Sequence, residues 1–487
     1  MIMLNAAIQY TADGYGVQSS NELVTISAAC YPMKIINVTL GCDSGVEMCE
    51  ATHRDNCDLP FSVGVCDLVM SLFFIFCICG SYFVESFWVK QMNESVQTAR
   101  DYSLLVEDPG ENDDDPDIWK EFFSKIKDAD GKPCKVRYVT IARRNLSLCK
   151  LIAEKHKITR KLIEFSKITH LNALGRVSEK LWLGRYDDVN RELSKAFQED
   201  YPVCKVFVTF ELESTQRAYL NALKVPEISA IMDWKGDIDE KFYFHSPGEE
   251  SANVLYVTQP AEPDDIRWEN IEEYPWKRNL MILAGYILVI GAMAATYFII
   301  IYSAKISSNL LAGAITVLDI LLGTLFELIT EWTSPLTEGE KQSSLQLKLF
   351  VVRLLISTVL PYVQTEWNAF LDVDFLSEII TVQLSACFLS PLIDMTDYSG
   401  LFSRNFLAPW TSNTQAELNS NWSGTPWSLG ERYTVATKIL FISLFYAILT
   451  PVGLFIGSVS FLLLFVVDRY LLLRKWAPVG LLDSSGN

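Results

Sequence analysis

The chain has 487 residues, half of them hydrophobic, and a formal net charge of −18. Its apolar residues gather in long blocks rather than spreading periodically, which excludes a large soluble core and favours a membrane protein. The acidic balance argues against nucleic-acid binding through a basic face.

Residues 1–66 hold Cys30, Cys42, Cys49, Cys57 and Cys66, a density that suits an oxidising compartment and one or two disulfides. No basic, then apolar, signal peptide opens this segment. The first span is expected over 67–89 and either directs its own insertion or follows a missing upstream segment. The remaining cysteines and the four scattered histidines show no metal-binding spacing, so no metal and no cofactor is expected.

Residues 90–278 carry 29 of the 41 basic residues and read as a soluble α+β domain. Strands are expected over Asp101–Glu107, Cys134–Ala142 and Cys204–Phe210, and helices over Asp117–Ile126, Leu146–His170, Asp187–Glu199 and Glu213–Leu223. That order matches a ferredoxin-like or RRM-like split βαβ unit with a helical insertion. Phe207 and Phe210 fall at two aromatic positions of an RNA-recognition strand, but the lead-in Cys204-Lys205-Val206 departs from that signature, and no nucleic-acid partner is expected. The acidic run Glu111–Asp117 reads as a solvated loop and helix start. Glu262-Pro263-Asp264-Asp265-Ile266-Arg267-Trp268-Glu269-Asn270 closes the domain as an acidic Pro/Trp clasp just before the next span.

Residues 279–475 read as a transmembrane bundle. Leu280–Tyr302 is an uncharged run of 23 residues, where a bilayer needs roughly 20. Further spans are expected at 309–331, 347–365 and 376–396. The 29 uncharged residues Ile439–Val467 would reach about 43 Å as one helix, beyond a hydrocarbon core of about 30 Å. Thr450-Pro451-Val452-Gly453 lies near the middle of the block 437–471, which therefore reads as a short re-entrant hairpin, with one kinked helix as the alternative. Seven membrane segments result, with 476–487 as a cytosolic tail. The flanks Lys90, Arg100, Lys277, Arg278, Arg432, Lys438, Arg474 and Lys475 then fall on the cytosolic side. Residues 1–66 lie outside, and Asn37-Val38-Thr39 becomes a usable glycosylation acceptor.

Charges within spans are costly in lipid and face protein or water. Asp319 and Glu327 are eight residues apart in one span, hence expected on nearly one helical face, and Arg353 is followed by Ser357, Pro361 and Gln364 in the next. The least hydrophobic span carries Glu378, Thr381, Gln383, Ser385 and Asp394 around Pro391. Two readings stand side by side: these residues line an aqueous path or a lipid-headgroup groove, or Asp319 and Arg353 pair within the bundle while Glu378 and Asp394 sit at the interfaces. No phosphate-binding loop, nucleophile elbow or zinc-protease helix appears, so no enzyme is expected.

The fold-closing clasp, Asp101-Tyr102-Ser103, Phe207-Val208-Thr209-Phe210, Phe445-Tyr446-Ala447-Ile448-Leu449-Thr450-Pro451, Arg469-Tyr470-Leu471-Leu472-Leu473 and the linker Thr333–Lys348 together resemble the OSCA/CSC family of hyperosmolality-gated, calcium-permeable mechanosensitive channels, relatives of the anoctamins and transmembrane channel-like proteins. The match extends over roughly 67–475. The resemblance implies a multi-pass membrane protein, in the plasma membrane or an endomembrane, with a pore inside each subunit. Calcium, potassium and sodium would permeate, membrane lipids would supply the gating tension, and the partner would be a second copy in a homodimer. Candidate pore-lining residues are Asp319, Glu327, Arg353, Ser357, Glu378, Thr381, Ser385 and Tyr446, and candidate hinges are Pro361, Pro391, Pro451 and Gly453. The family usually has eleven spans, and this chain lacks two at each end, so a fragment or reduced member is one expectation. The hairpin carries no acidic cluster for an anoctamin-type calcium site. The other functional readings are an anoctamin-like phospholipid scramblase and a non-conducting scaffold.

Overall fold

The computed structural model describes residues 34–42, 45–53, 61–95, 97–107, 109–110, 113–125, 134–167, 173–223, 243–245, 252–306, 308–359, 373–396, 398–411, 415–422 and 425–477. These residues are mostly helical, and among them five helices are long and apolar enough to cross a membrane, beside a small antiparallel sheet. The chain divides into two units, one formed by the helical bundle and the other by Met92–Arg278 together with the short segment Ser334–Gly339.

Ahead of the bundle, β1 (Lys34–Cys42) and β2 (Gly45–His53) form an antiparallel pair in which Asn37 lies opposite Glu50. The N-terminal disulfides concern side chains outside the described residues. The first membrane helix, α1 (Phe61–Ser95), outruns the expected 67–89 at both ends. None of the residues in its apolar window Leu68–Met92 is buried, and Phe76 and Phe83 are more than 70% exposed. A helix apolar on every side is stable only in lipid or against other apolar helices.

In the second unit, β3 (Ser103–Val106) leads to α2 (Pro116–Ser124), β4 (Val136–Arg143) and the helices α3 (Leu146–Lys167) and α4 (Ala173–Ala196). There follow β5 (Val203–Phe210), α5 (Glu213–Ala222), the pair β6 (Tyr243–His245) and β7 (Ala252–Val254), and β8 (Val257–Thr258). The sheet runs β4-β5-β3-β8, and every neighbouring pair is antiparallel. Helix α2 starts where expected because Asp115 caps it: its side chain accepts from Asp117 N at 2.9 Å, and Pro116 needs no partner at the first position. Helix α4 begins 14 residues ahead of the expected Asp187, since its first half is too polar to show a clear apolar period.

One face of the sheet presents Leu104, Val106, Val206, Val208 and Phe210 to a core that includes Trp119, Phe122, Phe123, Tyr219 and Phe244. Phe207 and Phe210 are three positions apart and so point to opposite faces of β5. Phe210 is buried in the core, while Phe207 packs under Trp268 with ring centroids 5.7 Å apart.

Residues 262–270 hold the segment Ser334–Gly339. Arg267 N donates to Leu336 O (2.9 Å), Asn270 Nδ2 to Pro335 O (2.8 Å), and Ile266 bridges Thr337 in antiparallel fashion. Ser334 reverses the chain with φ at 52°. Buried Asp265 then accepts from the first amides of the next helix: its backbone oxygen takes Glu338 N (2.9 Å) and its Oδ1 takes Gly339 N (3.1 Å). Those amides have no partner within their own helix, so a residue far upstream supplies the cap. Asp265→Ala is expected to destabilise this helix start by about 1–2 kcal/mol. Hydrogen exchange at the Gly339 amide would read the loss, and unaltered protection would refute the capping role.

The bundle proper contains α6 (Pro275–Ala304), α7 (Ser308–Trp332) and α8 (Glu338–Leu354), the last passing into a π-helical segment at Leu355–Val359. It continues with α9 (Val373–Leu384), a second π segment at Ser385–Leu389, and α10 (Ser390–Thr396). Short helices α11 (Tyr398–Phe402), α12 (Ala408–Thr411) and α13 (Gln415–Trp422) follow, with a third π segment at Ser403–Leu407. The last elements are β9 (Thr425–Pro426), α14 (Leu429–Phe445), α15 (Val452–Arg474) and β10 (Trp476–Ala477). The membrane-length windows are Leu68–Met92, Pro275–Ser303, Gly313–Trp332, Phe375–Ile393 and Val452–Arg474.

Two expectations need correction here. The span expected at 347–365 is the apolar end of α8, which starts nine residues earlier on charged residues; Pro361 lies outside the described residues. The 437–471 block is a hairpin with its break at the expected Thr450-Pro451, but its arms are not short. Helix α14 opens at Leu429, and α15, at 23 residues, is itself among the membrane-length helices. Arg432 and Asp468 (3.7 Å) and stacked Trp427 and Trp476 (6.0 Å) show the arms lying antiparallel, which excludes one kinked helix. Gly457 is what lets them close: a Cβ there would collide with the Ser443 hydroxyl. The tail begins inside the bundle, since Trp476 and Ala477 pair with Thr425 and Pro426.

Candidate functional site

Within the bundle, the helices bring two polar clusters together. The first is ionic. Asp319 from α7 takes Arg353 Nε at 2.7 Å on one oxygen and the Lys438 ammonium on the other. Arg353 uses the rest of its fork on α14, donating to Thr434 Oγ1 (2.5 Å), to Glu431 O (3.4 Å) and to Glu431 Oε1 (3.5 Å). Its side chain is 4% exposed, that of Lys438 5% and that of Asp319 14%. Gly323, one turn along α7 from Asp319, leaves room for Glu431: a Cβ there would stand 3.0 Å from Oε1. Two carboxylates and two cations thus balance, and each buried charge has a partner, the condition under which such a group is tolerated away from water.

This arrangement realises the Asp319–Arg353 pairing. Lys438, read from the sequence only as a topological flank, and Glu431 and Thr434 were missed as members. Their spacing was a usable signal, because residues 431, 434 and 438 recur at helical intervals on one face. Glu327 does not join them. Eight residues advance an α-helix by two turns plus about 80°, which turns Glu327 to the exposed side of α7.

The second cluster lies between α9 and the α14–α15 hairpin. Gln383, 1% exposed, donates from Nε2 to Thr450 Oγ1 at 3.2 Å, while its Oε1 finds no partner among the described residues. Gly453 makes way for this amide: a Cβ there would come within 2.7 Å of Nε2. Ser460 of α15 donates to Cys387 O at 2.7 Å, reaching a carbonyl of the π segment. Pro451 stands at the N-cap of α15, closing the break that begins after Phe445, and Tyr446 is buried at the start of the turn. Pro391 is buried in α10 directly after the π segment.

The other expected lining residues are dispersed. Ser357 is buried in the first π segment. Thr381 and Ser385 donate to their own helix, at Ser377 O (2.8 Å) and Val382 O (3.1 Å). Glu378 is part-buried with no ion pair among the described residues. Nothing is described of the Asp394 side chain. Outside the membrane helices, Cys204 is buried, its Sγ donates to Ala142 O at 3.2 Å, and burial pushes its thiol pKa up, so it is not poised as a nucleophile. Among the described residues no three His, Cys, Asp or Glu side chains gather as a metal-holding group.

The fold is that of a largely helical chain whose five membrane-length helices among the described residues are consistent with a membrane protein, with paired charges in its bundle. No known family model matches the chain, and no curated protein matches it either.

Proposed function

We propose that this protein is a cation channel of the OSCA/CSC type, opened by membrane tension and permeable to calcium, potassium and sodium. The observation that carries this reading is the pair of π-helical segments Leu355–Val359 and Ser385–Leu389, set in two helices that the resemblance assigns to the pore. A π turn is a weak point where a helix can repack, and tension favours whichever packing occupies more membrane area. Each segment holds a hydroxyl residue, Ser357 or Ser385. The ionic cluster of Asp319, Arg353 and Lys438 serves as a brace between helices, and Glu378 is the carboxylate that meets permeating cations.

Strand order β8-β3-β5-β4, with α2 and α5 as the crossing helices, is that of a split βαβ unit. We therefore read 90–278 as a ferredoxin-like insert with α3 and α4 as its helical insertion. Its basic flanks put it in the cytosol, and the plasma membrane is the proposed location. A homodimer is the proposed assembly. The reading involves no enzymatic step, no cofactor and no nucleic acid.

Phospholipid scrambling is the second reading, favoured by the exposed carboxylate of Glu327 on a membrane helix. Patch-clamp recording of the full chain in liposomes under stepped tension tests both. Tension-dependent cation currents, with unitary conductance lowered in Glu378→Gln, are expected. Silence from verified, inserted protein would refute the channel, and lipid exchange without current would establish the scramblase.

A further inference from the structure

Lys348 lies in the third turn of α8 and is 4% exposed. Its ammonium makes one hydrogen bond, to Thr330 Oγ1 at 3.0 Å, and stands 5.7 Å from the centre of the Tyr286 ring. Among the described residues no carboxylate pairs with it. The neighbouring cations are all matched: Arg353 and Lys438 share Asp319, and Lys341, on the same face of α8, holds Glu331 at 2.9 Å. An ammonium has three donors, and an uncompensated buried charge is expensive.

The height of the group explains what can match it. Thr330 stands two residues before the end of α7 at Trp332. Gly285 packs against Thr333, where a Cβ would meet Cγ2 at 2.9 Å, and this sets neighbouring Tyr286 level with the last turn of α7. Lysine side chains on a helix lean toward its N-terminus, here toward the same end. The ammonium therefore sits level with the end of the membrane-length window of α7 at Trp332, where a phospholipid phosphate would come within reach. Tyr286, 41% exposed, forms its outward side and carries a hydroxyl able to donate to a phosphate oxygen.

We propose that Lys348, Thr330 and Tyr286 form a binding site for the phosphodiester of an anionic glycerophospholipid in the leaflet adjoining the α7–α8 turn. One negative charge balances the one unmatched ammonium. A choline lipid brings its own cation and leaves the balance unchanged. The site rests on the membrane placement of α6, α7 and α8, not on channel activity.

Native mass spectrometry of the full chain, released from vesicles of mixed phosphatidylglycerol and phosphatidylcholine, tests it. The protein is expected to retain phosphatidylglycerol with about tenfold preference, kept in Lys348→Arg and lost in Lys348→Met. Tyr286→Ala provides an independent variant, again with loss of preference. Equal retention by Lys348→Met and the unaltered chain would overturn the site, as would an undiminished preference in Tyr286→Ala. Displacement of the lipid by millimolar inorganic phosphate would overturn the lipid as the source of the phosphate.

Discussion

Asp319→Ala is expected to destabilise the bundle by about 3–5 kcal/mol. The side chain removed is the shared partner of Arg353 and Lys438, both nearly inaccessible to solvent. Arg353 keeps only its contacts to Thr434 and Glu431, and Lys438 keeps no carboxylate that pairs with it among the described residues. Two cations would then face one part-exposed acid. Thermal unfolding of the detergent-solubilised protein would measure the effect. Adding Arg353→Met should restore much of the loss, since it removes one stranded charge and substitutes apolar volume. A single variant as stable as the parent, or a double variant no better than the single, would mean the cluster is not the brace described. The loss on breaking such a cluster is larger than its net contribution to stability, because desolvation offsets much of its attraction.

Trp119→Ala should cost the α+β unit about 3–5 kcal/mol. Trp119 is fully buried, stacks on Phe244 at 4.2 Å, and donates from Nε1 to Asp113 O at 2.9 Å. Asp113 is itself fixed in a turn, accepting from Gly110 N at 2.9 Å. The indole thus joins the acidic loop, α2 and the β6–β7 pair. Hydrogen exchange across β3 and β5 would report the loss as weakened protection. Trp119→Phe separates the two contributions: it keeps most of the packing and loses the hydrogen bond, for about 1 kcal/mol. If both variants left exchange unchanged, the aromatic stack would not be organising this core.

What the sequence made legible follows from what each signal measures. Uncharged runs located the membrane helices because solvation in lipid depends on composition. Pro451 marked the hairpin break because it is a local property of one residue, and it stands at the start of the second arm. Helix starts were misplaced for the same reasons. Hydropathy placed the onset of α8 near 347, whereas the backbone is helical from Glu338, where Asp265 supplies the cap. Helix α14 likewise begins on polar residues: Gly430 N donates to the Gln342 side chain at 2.9 Å. Caps borrowed from distant residues leave no local trace. The Asp319–Arg353 pair was readable as a desolvation argument, but the choice of Lys438 as third member depends on which helices pack together. Glu327 shows the limit of spacing arguments, since the roughly 80° left over after two turns is enough to move a carboxylate from interior to surface.

The charge balance of the Asp319 cluster bears on the membrane potential. An unpaired charge crossing the full field exchanges about 2.3 kcal/mol per 100 mV. Asp319, Glu431, Arg353 and Lys438 sum to zero, so carrying them together along the field performs no electrical work. Any rearrangement that keeps the four in register is accordingly blind to voltage. One that draws Arg353 away from Asp319 would acquire a gating charge, and with it a dependence on voltage.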